Sequence, residues 1–235
     1  MCGKDGTQVT LLKSADGRSF RCRRCHHAVC IEVYKAEAHK KLEQLSLSLP
    51  RSINDDDASM LARAKEPVRE WYRSWSRTTM LSVLITGLPG EGKTLPVAAR
   101  IRALANEAVE EYANGKGASE LFDWVSGVYF VRAYDLAEAS HEYKAGCPEI
   151  ERAKRATLLV IDDLGLERAG HEQVFMNVVD HRIGARLPTW ATSGFSVDAL
   201  TERYSQAFVR RICERGTGKL IDLFRASARK LEAVR

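Results

Sequence analysis

The sequence predicts an α/β fold, a parallel β-sheet with helices on both faces. Three observations predict it. Short apolar runs suited to buried strands alternate with helical segments. One of them, Leu81–Ile85, leads into Gly87-Leu88-Pro89-Gly90-Glu91-Gly92-Lys93-Thr94, and another, Leu158–Ile161, closes on Asp162-Asp163. A glycine-rich turn ending in Lys-Thr after a strand, paired with a strand that ends in acids, is the pattern of a nucleoside triphosphate site.

The first thirty residues hold four of the six cysteines, three of them in Cys22-Arg23-Arg24-Cys25-His26-His27-Ala28-Val29-Cys30. Closely spaced Cys and His outside a secreted context suit tetrahedral zinc better than disulfides. Cys22 and Cys25 form the chelating pair, Cys30 a third thiolate, and Cys2, His26 or His27 the fourth ligand. Asp16-Gly17 predicts a hairpin between Gln8–Lys13 and Arg18–Cys22, a scaffold too small to stand without a staple. The isolated Cys147 and Cys213 read as small buried hydrophobes. Ile31–Leu49 has helical spacing, with Val33, Ala36, Leu42 and Leu45 as its apolar stripe. Pro50 ends it. The polar turn Ser52–Asp57 then precedes a helix over Ala58–Trp75, whose Trp71, Tyr72 and Trp75 are expected to pack on the core rather than stack on bases.

Met80–Thr86 predicts the strand before the loop and Val97–Tyr112 the helix after it, ending near Asn114-Gly115. Pro96 is compatible, because the first helical turn has N–H groups without intrahelical partners. In such a loop the backbone N–H groups at Gly87, Gly90 and Gly92 wrap the phosphates, Lys93 reaches the β/γ oxygens, and Thr94 coordinates magnesium. Asp162 shares the magnesium, and Asp163 orients or deprotonates the attacking water. The ligands implied are ATP and Mg2+. Further strands are predicted at Val128–Arg132, Thr157–Ile161, Pro188–Thr192 and Leu220–Phe224, which makes five in all. The distance between loop and acids suggests the P-loop group with a strand inserted between them. The domains expected are a Cys/His-rich partner-binding segment with its helix over 1–49, a linker helix over 50–78 and an ATPase domain over 79–235.

Composition fits a globular, cytoplasmic protein: 45% apolar and 29% charged residues over 235 positions, with no apolar stretch approaching the roughly 20 residues of a membrane span. No h-region of a signal peptide is visible. The formal charge of +5 leans mildly toward nucleic acid.

Leu159-Val160-Ile161-Asp162-Asp163-Leu164-Gly165, the Pro188-Thr189-Trp190-Ala191-Thr192-Ser193 strand, Tyr204 with Val209-Arg210-Arg211-Ile212, and Ser227-Ala228-Arg229 together resemble the DnaC/IstB group of AAA+ ATPases. The likeness spans about residues 50–230, far more than the nucleotide motifs alone. It implies an AAA+ core without a C-terminal helical lid, acting as an ATPase that loads a replicative DNA helicase onto single-stranded DNA or, in the IstB branch, assists a transposase. It also implies self-association or a hetero-oligomer through the ATP site. Arg211, with Arg210 as alternative, matches an arginine finger acting on a neighbouring subunit, and Arg229 matches a phosphate-contacting arginine. Thr192 or Ser193 would sense the γ-phosphate, because relatives often carry asparagine where Gly194 stands. The N-terminal segment is similar to the zinc-containing helicase-binding domain of DnaI-type loaders. Lys144, Arg152, Lys154 and Arg155 precede the acidic strand where loaders place elements that touch single-stranded DNA.

Overall fold

A computed structural model describes residues 11–13, 20–49, 61–75, 82–115, 119–142, 146–213 and 218–225. The N-terminal hairpin is present as β1 (Leu11–Lys13) and β2 (Phe20–Cys22), paired antiparallel. Helix α1 (Arg23–Ser48) follows at once and so starts eight residues earlier than expected. Of the expected stripe, Leu42 and Leu45 are buried and Val33 and Ala36 are not. Ala38 and Leu49 are buried with the two leucines, whereas Val33 is 59% exposed and Ala36 lies on the solvent side. The reason is the partner: α1 packs on the helix that follows the P-loop, and that contact selects the stripe running from Ala38 to Leu49.

The helix expected over Ala58–Trp75 is interrupted. Residues 61–63 are helical, Ala64 and Lys65 leave the helix, and α2 (Glu66–Ser74) begins anew with Pro67 in its first turn. Proline lacks an N–H and disfavours helical geometry in the residue before it, so the chain restarts there. Trp71 and Trp75 are core residues, as expected. Each meets Trp190 edge-to-face, with ring centroids 5.1 and 5.4 Å apart.

The remaining chain alternates strand and helix: β3 (Ser82–Thr86), α3 (Thr94–Asn114), α4 (Glu120–Ser126), β4 (Val128–Arg132), α5 (Ala133–Glu142), α6 (Pro148–Arg155), β5 (Leu158–Asp162), α7 (Glu172–Gly184), β6 (Thr189–Ser193), α8 (Val197–Tyr204), α9 (Gln206–Cys213) and β7 (Gly218–Asp222). The last five-residue strand sits two residues earlier than expected. All five strands β3–β7 are parallel, in the order β4-β5-β6-β3-β7. The inserted strand is therefore β6, lying between the loop strand β3 and the acidic strand β5.

Strand side chains alternate between two cores, as the period of two requires. Val83, Ile85, Val128, Phe130, Leu158, Val160 and Trp190 face α1–α4. Leu84, Tyr129, Val131, Leu159, Ile161 and Ala191 face α5–α9. Burial on both faces explains why these strands read as continuous apolar runs. Cys147 and Cys213 are buried, as expected. The absence of a lid concerns residues beyond 225 and lies outside the described residues. Among the described residues no helix is long and apolar enough to cross a membrane.

One buried cation was not visible in the sequence. Arg182 on α7 is fully buried and donates to the carbonyls of Ala153, Lys154 and Ala156 at the end of α6, to Pro188 O and to Thr189 Oγ1, at 2.5–3.3 Å. The carbonyl end of a helix is an electronegative receptor for a guanidinium, so the charge is satisfied without a carboxylate. Burial lowers its pKa to about 10, which leaves it charged at neutral pH.

Candidate functional site

Because β6 separates β3 from β5, the C-terminal ends of three strands bring the loop, the acids and Thr192 to one edge of the sheet. Gly90 and Gly92 adopt φ of +83° and +72°, a conformation that L side chains avoid, and this lets the loop turn tightly into α3. Gly92 has a second constraint. A Cβ there would meet Ala64 Cα and Arg63 O at 3.1 Å, since the segment before α2 presses on the loop. Lys65 in that segment forms an ion pair with Glu91, whose other oxygen accepts from Leu88 N at 2.8 Å. The start of the loop is held to β6 by Gly87 N donating to Ser193 O at 3.2 Å.

Lys93 is buried and its ammonium donates to Gly87 O and Leu88 O, both at 2.8 Å, so it arches over the loop. Burial pulls its pKa below the usual lysine value, opposed by the charges of Asp163, Glu91 and Asp162. Thr94 Oγ1 donates to Asp162 Oδ1 at 2.7 Å. Thr192 Oγ1 donates to the same oxygen at 2.5 Å and accepts from Asp163 N at 3.1 Å. Burial pushes the Asp162 carboxyl above its usual range, while the hydroxyls of Thr192 and Thr94 oppose the shift. Asp163 has φ +57°, an uncommon conformation for a non-glycine residue that asparagine and aspartate tolerate best.

The structure thus gathers Gly87, Gly90, Gly92, Lys93, Thr94, Asp162, Asp163 and Thr192. Thr94 and Asp162 supply the hard oxygen donors that magnesium favours, and their mutual hydrogen bond puts both at one point. Ser193 has a different environment from the one expected of a phosphate sensor. Its fully buried hydroxyl donates to Leu164 O at 2.6 Å and accepts from Phe195 N at 3.0 Å, so it braces the turn after β5. At Gly194 a Cβ would meet nothing within 4 Å, which makes this the open position at the strand end.

Other expected residues fall elsewhere. Arg211 on α9 is engaged by Asp180 of α7 at 2.5 Å, and its neighbour Arg210 is exposed. Arg229 and Cys2 lie outside the described residues. Cys22 ends β2, and Cys25, His26 and Cys30 belong to α1. Of these only Cys30 has a described side chain, and it is half-buried. Among the described residues no group of three or more His, Cys, Asp or Glu could hold a metal ion. In the basic run, Lys144 lies outside the described residues. Lys154 and Arg155 both pair with Glu151, at 2.9 and 3.5 Å, and Arg152 covers the Tyr129 ring at 4.3 Å. Arg152 and Arg155 remain exposed within these contacts.

Strand order, glycine loop, buried lysine and an acid-bearing strand one place beyond the loop strand's neighbour together form the arrangement of a P-loop site on a parallel α/β sheet. No protein-family model matches the sequence. No curated protein matches it either. Solved structures of similar fold include the DnaC helicase loader, at 18% identity over 66% of this chain and 85% of that one, with a TM-score of 0.47. DnaI is similar at 21% identity over 72% of this chain and 83% of that one, with a TM-score of 0.45. AMPPCP-bound DnaA from Aquifex aeolicus is similar at 23% identity over 72% of this chain and 50% of that one, with a TM-score of 0.44.

Proposed function

We propose that this protein is an ATPase that loads a replicative DNA helicase, with ATP state timing loading or release. The observation that carries the chemistry is the hydrogen bond from Thr94 to Asp162 beneath the Lys93 arch. It joins the two residues that would hold magnesium and leaves Asp163 as the adjacent acid. Bound magnesium would neutralise phosphate charge. Lys93 would bind the β/γ oxygens, and Asp163 would orient the attacking water and accept its proton. Arg211 would reach the ATP of a neighbouring copy, exchanging Asp180 for phosphate, so self-association would complete the site. Arg229 would contact phosphate in its own subunit.

The partners in this reading come from the likeness of the sequence to the DnaC/IstB group. They are a replicative helicase, gripped through the N-terminal segment, and single-stranded DNA. Cys22, Cys25 and Cys30, with Cys2 or His26, would hold a structural zinc. Purification without added metal should yield about one zinc per chain, and Cys22→Ser/Cys25→Ser should lose it. Retention of zinc by that variant would remove the site.

Steady-state ATP turnover with and without single-stranded DNA tests the enzyme reading. Asp163→Asn is expected to lower kcat by roughly 10²–10³-fold while nucleotide affinity holds. Full turnover in that variant would reject the assignment. Gly194 favours a second reading, an ATP-switched adaptor that does not hydrolyse, because that position offers no side chain to the γ-phosphate while Thr192 and Ser193 are engaged by Asp162 and Leu164 O. Binding without turnover under any condition selects it. Capture of a replicative helicase by the full chain supports the loader. Capture of a transposase selects the IstB-like role.

A further inference from the structure

The turn that carries Asp163 is tied to a second element by a carboxylate that the nucleotide chemistry does not use. Leu166 N donates to Asp163 O at 3.1 Å, which closes the turn. Its next residue, Glu167, has a fully buried side chain. One oxygen of Glu167 accepts from Gly165 N at 3.0 Å. The other accepts from Arg203 Nε at 2.9 Å and from the Tyr204 hydroxyl. Arg203 also donates to Glu167 O at 2.6 Å and reaches Glu172 at 3.3 Å. A buried carboxylate with all its donors supplied by two elements holds those elements together, since moving one would strand a charge away from water.

Arg203 and Tyr204 are the last residues of α8, and the helix ends at Ser205. Ser205 has φ +110°, a strained conformation for a non-glycine residue. Beyond this corner α9 begins. The buried Tyr204 ring stacks on Phe208 of α9, with centroids 4.7 Å apart and planes at 27°. Arg210 lies on the opposite, exposed side of α9, and Arg211, three residues after Phe208, flanks the packed side and pairs with Asp180 of α7. An unbroken series of packed and hydrogen-bonded groups therefore runs from Asp163 through Glu167 and Tyr204 to an arginine-bearing helix face.

We propose that Glu167 is a positioning residue that joins the Asp163 turn to the α8–α9 corner, so that nucleotide at Asp162 and Asp163 shifts the arginine face of α9. The proposal rests on the nucleotide-site reading given above. Its physical basis is the exchange that a metal-bound nucleotide forces. Asp162 Oδ1 now holds the hydroxyls of Thr94 and Thr192, and Thr192 also holds Asp163 N, so engaging Asp162 from outside redistributes bonds at the base of the turn. Glu167 cannot absorb that movement alone, and Tyr204 passes it to α9. The strained Ser205 corner is where the backbone can yield.

Hydrogen–deuterium exchange of the full chain, with and without a non-hydrolysable ATP analogue and magnesium, reads both ends separately. Wild type should show slowed exchange over residues 82–94 and 158–166, and an altered rate, roughly threefold or more, over 206–213. Tyr204→Phe removes one hydroxyl and keeps the ring on Phe208. It should retain the nucleotide response at 82–94 and 158–166 and lose the response at 206–213. Glu167→Gln should do the same, and Tyr204→Phe alone suffices if Glu167→Gln does not fold. The comparison is of nucleotide-induced change within each protein, which a loss of packing alone would not redirect from one end to the other. Persistence of the α9 response in Tyr204→Phe overturns the proposal, as does a wild type that responds at the loop and not at α9. No response at 82–94 in wild type means that the nucleotide reading itself has failed, and is told apart by those same peptides.

Discussion

Asp162 carries two threonine hydroxyls on one carboxylate oxygen and sits where water is excluded. Its pKa is raised by that burial above the ordinary 3.8. For such a group the folded state holds its proton more tightly than the unfolded one. The nucleotide-free protein is then predicted to lose stability as pH rises from 3.8 through the raised folded value, and to change no further above it on account of this residue. Asp162→Asn removes the buried charge and leaves a carbonyl oxygen for the hydroxyls. It should stabilise the nucleotide-free protein by on the order of 1 kcal/mol while magnesium-dependent nucleotide binding is lost. Thermal melts with and without Mg-ATP check both halves, and a lower Tm for the variant without nucleotide would contradict the argument. The acids and the loop were legible in sequence because strand ends and glycine turns are local patterns. The bridging role of Thr192 was not, since it depends on β6 lying beside β5. Glu167, Glu91 and Lys65 carried no signal either, because each acquires its partner through tertiary contact.

Elements dock through a few large side chains. Trp190 on β6 receives Trp71 and Trp75, which anchor α2 and with it the segment that presses on Gly92. Trp190→Ala should cost about 3–5 kcal/mol by opening a cavity at that junction. Chemical denaturation measures the loss. A cost below about 1 kcal/mol would show that α2 re-docks without its central partner. The strands were read correctly in kind and nearly in place, with β4 matching its expected bounds, because burial on both faces leaves uninterrupted apolar runs. The α2 boundary was missed because apolar spacing continues across Ala64 and Lys65 while Pro67 breaks the hydrogen-bond ladder. For α1 the expected stripe holds at Leu42 and Leu45 and fails at Val33 and Ala36, because apolar spacing runs the length of the helix while the contact with α3 decides which part of it is covered.

Over the whole molecule, α1 belongs to the same apolar core as α2, α3 and α4. Leu42, Leu45 and Leu49 each bury a side chain worth about 1.5–3 kcal/mol. Deleting residues 1–49 should therefore lower the Tm of the remaining chain or render it insoluble. Differential scanning fluorimetry against the full chain tests this, and an unchanged Tm would mean that α1 contributes nothing to the core. Such packing also ties α1 directly to α3, the helix that begins at Thr94. The sequence by itself determined the parallel α/β architecture, the phosphate loop and the paired acids, because these depend on local periodicity and on residue chemistry at fixed spacing. Tertiary structure alone decided which part of α1 is buried, how Thr192 joins the acids, where Arg182 finds its carbonyls and how Glu167 connects turn to helix. Each of those depends on residues distant in the chain becoming neighbours, and no local pattern encodes such a meeting.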